Sequence, residues 1–288
     1  MAGWTLGVIG GSGLYEIEGL EDRRWVKVDS PFGEVSDELL TGRIGNVRLV
    51  FLPRHGRGHR LPPTHVNARA NIDALKRAGV TDVVSLSAVG SLREHLSPGT
   101  FVAVDQFVDR TFAREKSFFG PGLVAHVSMA RPTCGRLSAL AAAAAREAGA
   151  KVVEGGTYLA MEGPQFSSLA ESNLYRAWGC DVIGMTAMPE AKLAREAELP
   201  YASIGMVTDY DCWHEAEPDV DVPGALAVLH ANADLARDLV RRLALSLPGE
   251  RQPSPIDTCL DFAIATAPDK RDPAMVARLD AVAGRVLG

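Results

Sequence analysis

The residues best suited to chemistry lie in five short clusters, and the first is Gly10-Gly11-Ser12-Gly13, directly after an apolar run. Glycines let backbone N–H groups come close to an anion, and the Ser12 hydroxyl adds one more donor. The third glycine of a dinucleotide fingerprint and the Gly-Lys-Ser/Thr of a P-loop are both missing. The pattern therefore predicts an anion-binding loop, with a simple tight turn as the alternative.

The second cluster is a basic heptad, Arg54-His55-Gly56-Arg57-Gly58-His59-Arg60, in a chain whose net charge is −6. It follows the apolar run Val47–Pro53, and ligands of open α/β sheets bind at the carboxyl ends of strands. Arginine offers a planar, two-pronged donor that suits phosphate. We interpret the heptad first as an anion site, then as a solvated loop, and last as a metal site, because no carboxylate accompanies the two histidines.

Two further clusters are weaker when taken alone. Ser85–Ser91 ends a strand with small hydroxyl residues and a glycine, as many ordinary loops do. Met161–Ser167 contains a Gly-Pro turn flanked by Glu162 and Phe166, which could offer a carboxylate and an aromatic face to a ligand. The alternative is a loop before a helix, with Phe166 packed in the core.

The fifth cluster, Thr208–Trp213, carries two acids two residues apart. In an extended chain Asp209 and Asp211 would share a face. Two close carboxyl groups do not both ionise readily, so the pKa of one should be raised and that group could donate a proton. The alternatives are a Mg²⁺-binding Asp-x-Asp pair, for which further carboxylates are missing, and simple turn or cap residues.

The clusters lie within an alternating series of strand-like and helix-like segments, which predicts an α/β fold with a parallel or mixed sheet. The predicted strands are Leu6–Gly10, Val47–Pro53, Asp82–Ala88, Phe101–Asp105, Val182–Met185 and Tyr201–Val207. The predicted helices are Asn67–Ala78, Pro132–Ala148, Leu169–Trp178, Pro189–Ala197, Gly224–Leu245 and Pro273–Leu287. Leu247–Pro255 has the composition of a linker. We expect a single domain over residues 1–288, with 250–288 as a C-terminal helical appendage.

Composition narrows the class of protein. A chain of 288 residues that is 47% hydrophobic and 23% charged can bury a full core. The four cysteines have neither disulfide-framework nor zinc-ligand spacing. The acidic balance argues against nucleic-acid partners, and no leader or membrane-length apolar run is evident. We expect a cytoplasmic protein that binds neither nucleic acid nor membrane.

Taken together and in order, these motifs resemble the nucleoside phosphorylase superfamily, in particular its 5′-methylthioadenosine phosphorylase family. The resemblance extends from Gly7 to about Leu245 and rests on GGSGL, DSPFGEVSD, PRHGRGH, SAVGSLRE, DQFVDRT, EGPQFSS, GMTAMPE and TDYDCW. It implies a single α/β domain with a mixed central sheet flanked by helices. It also implies a homotrimer whose sites lie near the subunit interfaces.

The resemblance assigns a role to each matching position. Phosphate would be held by Ser12, Arg54, His55, Ser87, Ala88 and Thr186. Met185 would lie under the ribose, Phe166 against the purine, and Asp209 and Asp211 at the base edge. Ala225 and Leu226 would form the pocket for the 5′ substituent, and His126 would reach in from a neighbouring subunit. Three positions depart from the family pattern: Ser87 replaces a threonine, Gln165 a charge, and Ala225 a larger aliphatic residue.

The implied reaction is phosphorolysis of 5′-methylthioadenosine to adenine and 5-methylthioribose 1-phosphate, with inorganic phosphate as co-substrate and no cofactor. Asp209 would protonate the leaving purine at N7, and Asp211 would accept from the exocyclic amine. Three alternatives stay open: a phosphorylase of 6-oxopurine nucleosides, a nucleosidase that uses water, and a non-catalytic nucleoside sensor. Base release that depends on phosphate indicates a phosphorylase, whereas a nucleosidase would release base without phosphate and a sensor would not release it.

Overall fold

The computed structural model of the chain describes residues 3–11, 13–215 and 222–288, with only the backbone described at 222–227 and 229–231. The strands in this part are β1 (Thr5–Gly10), β2 (Glu21–Val26), β3 (Leu39–Ile44), β4 (Val47–Pro53), β5 (Asp82–Ser91), β6 (Thr100–Val104), β7 (Gln106–Asp109), β8 (Lys151–Glu154), β9 (Thr157–Ala160), β10 (Val182–Gly184) and β11 (Tyr201–Asp209). The helices are α1 (Ala68–Arg77), α2 (Gly135–Glu147), α3 (Leu169–Ala177), α4 (Ala187–Glu196), α5 (Val222–Ser246), α6 (Pro273–Arg278) and α7 (Asp280–Leu287).

The strands form a mixed sheet whose main path runs β2-β3-β4-β1-β5-β10-β9-β7, with β11 branching from β5 and leading to β6 and β8. Its centre is parallel: β1 lies between β4 and β5, and β11 runs beside β5. Gly10 is paired with Pro53, and Gly90 with Asp209. The carboxyl ends of these four strands therefore meet at one edge, where four of the five clusters lie.

Helices cover both faces of the sheet. Side chains alternate between the faces along a strand, so Val8 packs against α2 and α5 while its neighbour Ile9 packs on the side of α1, α4 and α7. Strand β1 is buried at five of its six positions, as a strand covered on both faces must be. The fold is the predicted one: a single domain with a mixed central sheet flanked by helices.

The elements that carry the motifs were predicted within a few residues, and Val47–Pro53 without error. Strand β2 was missed because its sequence, EDRRWV, is exposed at every position and shows no apolar alternation. Strands β3, β7, β8 and β9 were also missed. The helix predicted over Pro273–Leu287 is two helices, because Leu279 leaves the helical conformation between them.

The residues after Leu247 pack into the rest of the molecule. Leu260, Leu279 and Val282 belong to the same core cluster as β1 and α1. Arg251, within the segment predicted to be a linker, forms ion pairs with the buried Asp82 and with Asp257. Across the described ranges, no helix combines the length and the apolar character needed to cross a bilayer.

Candidate active site

A small cavity beyond the carboxyl end of β4 brings together Arg54, His55, Met185 and Thr186, which were predicted to share a site. These residues come from two distant parts of the chain. Arg54 and His55 directly follow β4, whereas Met185 and Thr186 link β10 to α4. The cavity therefore lies at the sheet edge that the sequence indicated.

Arg54 is held in place by a buried ion pair. Its Nε donates to Glu190 Oε2 at 2.6 Å and its Nη2 to Ser85 Oγ at 2.6 Å, while Nη1 donates to the Leu86 carbonyl at 3.2 Å. Glu190 also accepts from the Tyr201 hydroxyl at 3.1 Å. The two-pronged face that we expected to meet phosphate is therefore occupied by Glu190, and one N–H of Nη1 is left for a ligand.

His55 is buried and its Nδ1 lies 2.9 Å from the Leu61 carbonyl oxygen. A carbonyl only accepts, so Nδ1 carries the proton in this contact. Burial, and then the charge of Arg54, lowers the pKa of His55 to about 4. The ring is therefore neutral at pH 7, and its Nε2 is a hydrogen-bond acceptor.

Arg114, whose side chain is only 4% exposed, lines the same cavity and ties its walls together. Its Nη1 donates to the carbonyls of Met185 and Met188 at 2.6 and 2.8 Å, and its Nη2 to the Glu162 carbonyl at 2.6 Å. One guanidinium thus fixes the backbone on both sides of Thr186.

The Glu162 carboxylate forms hydrogen bonds within the protein and is not open to a ligand. It accepts from Thr64 Oγ1 at 2.5 Å, from the Phe112 N–H at 2.6 Å and from Arg114 Nε at 3.1 Å. Burial opposes its ionisation, but these hydrogen bonds outweigh burial and lower the pKa of Glu162 to about 2.

Ser87 and Ala88 lie on β5, immediately after the residues that contact Arg54. The Ser87 side chain is buried, and its Oγ has no hydrogen-bond partner in the described part of the chain. A buried hydroxyl without a partner is unfavourable by about 1–3 kcal/mol. A phosphate oxygen would supply that partner.

Asp209 and Asp211 are brought together by a turn, not by an extended chain as the sequence suggested. Strand β11 ends at Asp209, and Asp211 has a φ of 52°. The Asp211 N–H donates to Asp209 Oδ1 at 2.8 Å, and Thr208 Oγ1 donates to Asp209 Oδ2 at 2.6 Å. A Cβ on Gly90 would lie 2.8 Å from Asp209 Oδ1, so glycine is needed there for the close approach.

The carboxyl group with the raised pKa is Asp211. Burial, with a further contribution from the Asp209 charge, raises its pKa to about 6. Asp211 Oδ2 is buried and has no hydrogen-bond partner among the described residues. Trp213 anchors the turn, since its Nε1 donates to the Ser91 carbonyl at 2.7 Å.

Phe166 is 43% exposed and lies on the loop that contacts Met185 through Gly163. Gly163 has a φ of 68°, and a Cβ there would clash with Met185 Sδ. The Phe166 ring is therefore not packed in the core, which is where the alternative interpretation of this loop had predicted it.

Among the described residues, six that were predicted to belong to the site do not line the small cavity beside Arg54: Ser87, Ala88, His126, Phe166, Asp209 and Asp211. The His126 side chain is exposed, and the backbone N–H of this residue donates to the Ala263 carbonyl at 2.8 Å. Ser12 lies outside the described residues, as do the side chains of Ala225 and Leu226. No group of three or more His, Cys, Asp or Glu suited to a metal ion occurs in the described ranges.

Sequence reasoning did not select Glu190, Arg114 or Ser85. Glu190 lies in the GMTAMPE motif, where it is an acid in the otherwise apolar start of a helix. That pattern could have indicated a buried partner for a cation. Arg114 lies in a loop without periodicity and gave no signal, because its partners are main-chain carbonyls far along the chain.

Comparison with known proteins assigns the chain to a family. Residues 5–247 match the family model described as the phosphorylase superfamily. The S-methyl-5′-thioadenosine phosphorylases of Cereibacter sphaeroides and Rhodospirillum rubrum are 66% and 60% identical, over 98% and 99% of this chain and 98% and 97% of theirs. A methylthioadenosine phosphorylase from an Antarctic soil metagenomic library superimposes with a TM-score of 0.92 at 44% identity, covering 98% of this chain and 99% of its own.

A more distant structure, the methylthioadenosine phosphorylase of Schistosoma mansoni in complex with adenine, has a TM-score of 0.78 at 38% identity, over 84% of this chain and 91% of its own. The matches cover nearly the whole chain, and the family model ends close to the limit that the motifs indicated. This chain therefore belongs to the phosphorylase superfamily, and within it to the S-methyl-5′-thioadenosine phosphorylase family.

Proposed function

We propose that this chain cleaves 5′-methylthioadenosine with inorganic phosphate, releasing adenine and 5-methylthioribose 1-phosphate, a transferase reaction of purine and methionine salvage. The observation that carries the proposal is the cavity of Arg54, His55, Met185 and Thr186 in a chain 66% identical to a phosphorylase of that substrate. The acidic pair follows β11, which lies beside β5 at the same edge of the sheet. The site thus combines anion donors with carboxyl groups that could face a base.

In this reaction a phosphate oxygen bonds to C1′ as the C1′–N9 bond breaks, and the base leaves with the bonding electrons. Positive charge grows on the ribose in the transition state, next to the phosphate. Arg54, His55, Ser87, Ala88 and Thr186 hold the phosphate under the ribose, together with Ser12. No metal or organic cofactor takes part in the proposed reaction.

The leaving base needs a proton or a strong hydrogen bond at N7, and we assign that contact to Asp209. Asp211 faces the exocyclic amine and selects adenine. A proton that enters the pair resides first on Asp211, because its pKa is the raised one. Donation by Asp209 then requires that the proton pass to it as the base binds.

The rest of the substrate defines the remaining roles. Met185 lies under the ribose and Phe166 against the purine, while Ala225 and Leu226 enclose an apolar 5′ group. His126 reaches the site of a neighbouring subunit, so the working enzyme is a homotrimer. The four cysteines, all within the described ranges, form no disulfide, which suits the reducing cytoplasm as the protein's location.

The test is adenine release from 5′-methylthioadenosine, 5′-deoxyadenosine and adenosine, each with and without phosphate. We expect release only with phosphate, and a higher kcat/KM for the methylthio compound than for adenosine. A 5′-hydroxyl would lose water without a side-chain partner from Ala225 or Leu226.

Each competing function gives a different result in the same assay. Release of base without phosphate indicates a nucleosidase, and binding without release indicates a sensor. Faster cleavage of inosine than of adenosine indicates a phosphorylase of 6-oxopurines. Equal kcat/KM for adenosine and 5′-methylthioadenosine would contradict the pocket assigned to Ala225 and Leu226.

A further inference from the structure

A second cleft lies at the opposite edge of the sheet and is lined mainly by the segment that leads into α2 and by residues 253–256. Its volume is about 360 Å³. The N–H of Cys134 in its wall donates to the Tyr201 carbonyl at 2.8 Å, and Arg136 Nη2 donates to Asp82 Oδ1 at 2.8 Å. Tyr201 and Asp82 are the first residues of β11 and β5, so the cleft is at the amino ends of the strands whose carboxyl ends carry the catalytic site.

The lining of this cleft is cationic in a chain whose net charge is −6. Of the described residues that line it, three are arginines and none is an aspartate or glutamate: Arg131, Thr133, Cys134, Gly135, Arg136, Arg195, Pro253, Ser254, Pro255 and Ile256. Arg136 is partly neutralised by Asp82, but its Nε is buried without a partner in the described ranges.

Arg195 is the cation that most needs a counter-ion. It is 8% exposed, and its two terminal nitrogens donate to the carbonyls of Ser128 and Arg131. Both acceptors are neutral, and no carboxylate in the described part of the chain forms an ion pair with it. Burial lowers the pKa of Arg195, as expected for a guanidinium without a compensating charge.

The start of helix α2 adds a second source of positive potential to the same cleft. Cys134 occupies the N-cap position, its side chain does not cap the helix, and the first turn contains no acidic residue. The free N–H groups and the helix dipole therefore favour an anion beside Arg195. The cleft is much larger than a phosphate ion, and its volume is within the usual range for small-molecule sites, about 300–1,000 Å³.

We infer that this cleft binds a small phosphate monoester, with the phosphate between Arg131, Arg195 and the start of α2. The organic part of the ligand lies along Pro253–Ile256. Nothing in the phosphorolysis reaction uses these residues, so the cleft is a separate site.

Arg131 is the position at which to test this site, because its side chain is exposed and its carbonyl, not its guanidinium, contacts Arg195. Arg131→Glu reverses a charge in the cleft and should fold normally. Arg43→Glu, at an exposed position on β3, makes the same charge change elsewhere and is the control.

Anomalous diffraction from crystals soaked in tungstate locates each bound oxyanion, so the cleft and the catalytic cavity are read separately. We expect a peak in the cleft for the wild type and for Arg43→Glu, and none for Arg131→Glu. A wild type without a cleft peak, or an undiminished peak in Arg131→Glu, would overturn the site.

Calorimetry with ribose 5-phosphate and with inorganic phosphate then distinguishes an ester from the free ion. We expect a second class of site for ribose 5-phosphate, with a Kd at least ~10-fold higher in Arg131→Glu, as for loss of one charge-assisted contact. A second site that takes inorganic phosphate but excludes ribose 5-phosphate would overturn the assignment to an ester.

Discussion

At the residue scale, the candidate phosphate cavity depends on groups that the protein itself leaves without partners. Arg54 donates to Glu190, Ser85 and the Leu86 carbonyl, which fixes its plane and leaves one N–H. Ser87 Oγ has no partner in the described residues. Arg54, which lines the cavity, and Ser87 on the neighbouring strand therefore carry oriented donors whose hydrogen bonds the proposed phosphate would complete.

We predict that Ser87→Ala raises the KM for phosphate about 10-fold, as expected for loss of one hydrogen bond to a charged group. The Tm should rise rather than fall, because the substitution removes a buried hydroxyl that has no protein partner. Steady-state kinetics with varied phosphate and a thermal melt are the measurements. Ser203→Ala is the matched control, since Ser203 Oγ on β11 is also buried without a partner in the described ranges. An equal KM effect in both variants would remove Ser87 from the phosphate site.

The acidic pair yields a prediction about pH. The pKa of Asp211 is raised to about 6, so its carboxyl is protonated below pH 6 and charged above it. The charged form accepts from a 6-amino group, whereas the protonated form can donate to a 6-oxo group. We predict that the ratio of kcat/KM for adenosine over inosine rises as the pH increases through about 6. In Asp211→Asn this ratio should be lower and independent of pH.

Asp209→Ala provides the comparison for this experiment. It should lower kcat by ~10²–10⁴-fold, the usual contribution of general acid catalysis. Loss of the Asp209 charge removes a cause that raises the Asp211 pKa, so the pH midpoint should also move down. A wild-type ratio that is flat with pH, or an Asp209→Ala enzyme with full kcat, would contradict these roles.

Sequence alone could identify many of these residues but not their contacts. Arg54 and His55 were found because a basic heptad is conspicuous in an acidic chain. The pair of Arg54 with Glu190 spans 136 positions and leaves no local pattern. The proximity of Asp209 and Asp211 was predicted from an extended chain, which is the wrong geometry. The alternation of side chains along a strand does not reveal the positive φ of Asp211.

At the scale of elements, the loop before α4 is positioned by another loop rather than by its own sequence. Arg114 and Glu162 link the residues around Thr186 to the segment that follows β7. This link determines where Met185 and Thr186 lie in the cavity.

We predict that Arg114→Lys raises the KM for both substrates about 10-fold, because a lysine ammonium cannot reach several carbonyls at once. Arg251→Lys is the control, since Arg251 is a similarly buried arginine in an ion-pair network away from the cavity. Both variants should lower the Tm, but only Arg114→Lys should raise the KM values. If both variants change KM alike, the effect is one of general stability and Arg114 does not position the site.

The end of α4 carries a second titrating group. Burial raises the pKa of Glu196 from 4.5 to about 7, although the Phe118 N–H and the Ser117 hydroxyl donate to it. The folded protein therefore holds this proton more tightly than the unfolded chain. The contribution of this proton to the free energy of unfolding is complete below pH 4.5. It is lost as the pH rises to about 7. The loss amounts to about 3 kcal/mol at 1.36 kcal/mol per pH unit.

We predict that Glu196→Gln removes this pH dependence. The measurement is the free energy of unfolding in urea at several pH values from 4.5 to 8, for the wild type and the variant. The wild type should lose stability relative to Glu196→Gln as the pH rises through this range. Glu147→Gln, at an exposed position on α2, should follow the wild type. A constant difference between wild type and Glu196→Gln would contradict the prediction.

At the scale of the whole molecule, the strand pattern was sufficient to predict the α/β architecture but not the shape of the sheet. Strand β5 pairs with β1, β10 and β11, so the sheet branches at this strand. Such branching follows from long-range pairing and leaves no signal in the sequence of β5 itself. The packing of residues 250–288 was hidden in the same way, because Leu260 and Leu279 meet core residues that lie far from them in the sequence.

We predict a homotrimer in solution, because the role assigned to His126 places it in the site of a neighbouring subunit. Light scattering coupled to size exclusion measures the mass. His126→Ala should keep the trimer and lower kcat/KM for 5′-methylthioadenosine. A monomer with full activity would refute both the assembly and the role of His126.

The hydrogen bond from His55 to the Leu61 carbonyl has a consequence for ion discrimination. A neutral imidazole whose Nδ1 proton is already used presents only a lone pair at Nε2. Hydrogen phosphate carries an O–H that can donate to this lone pair, whereas sulfate at neutral pH has only bare oxygens that it repels. Two anions of nearly the same size and shape are thus distinguished by a single proton. An enzyme that needs one of them as its nucleophile can then work in the presence of the other.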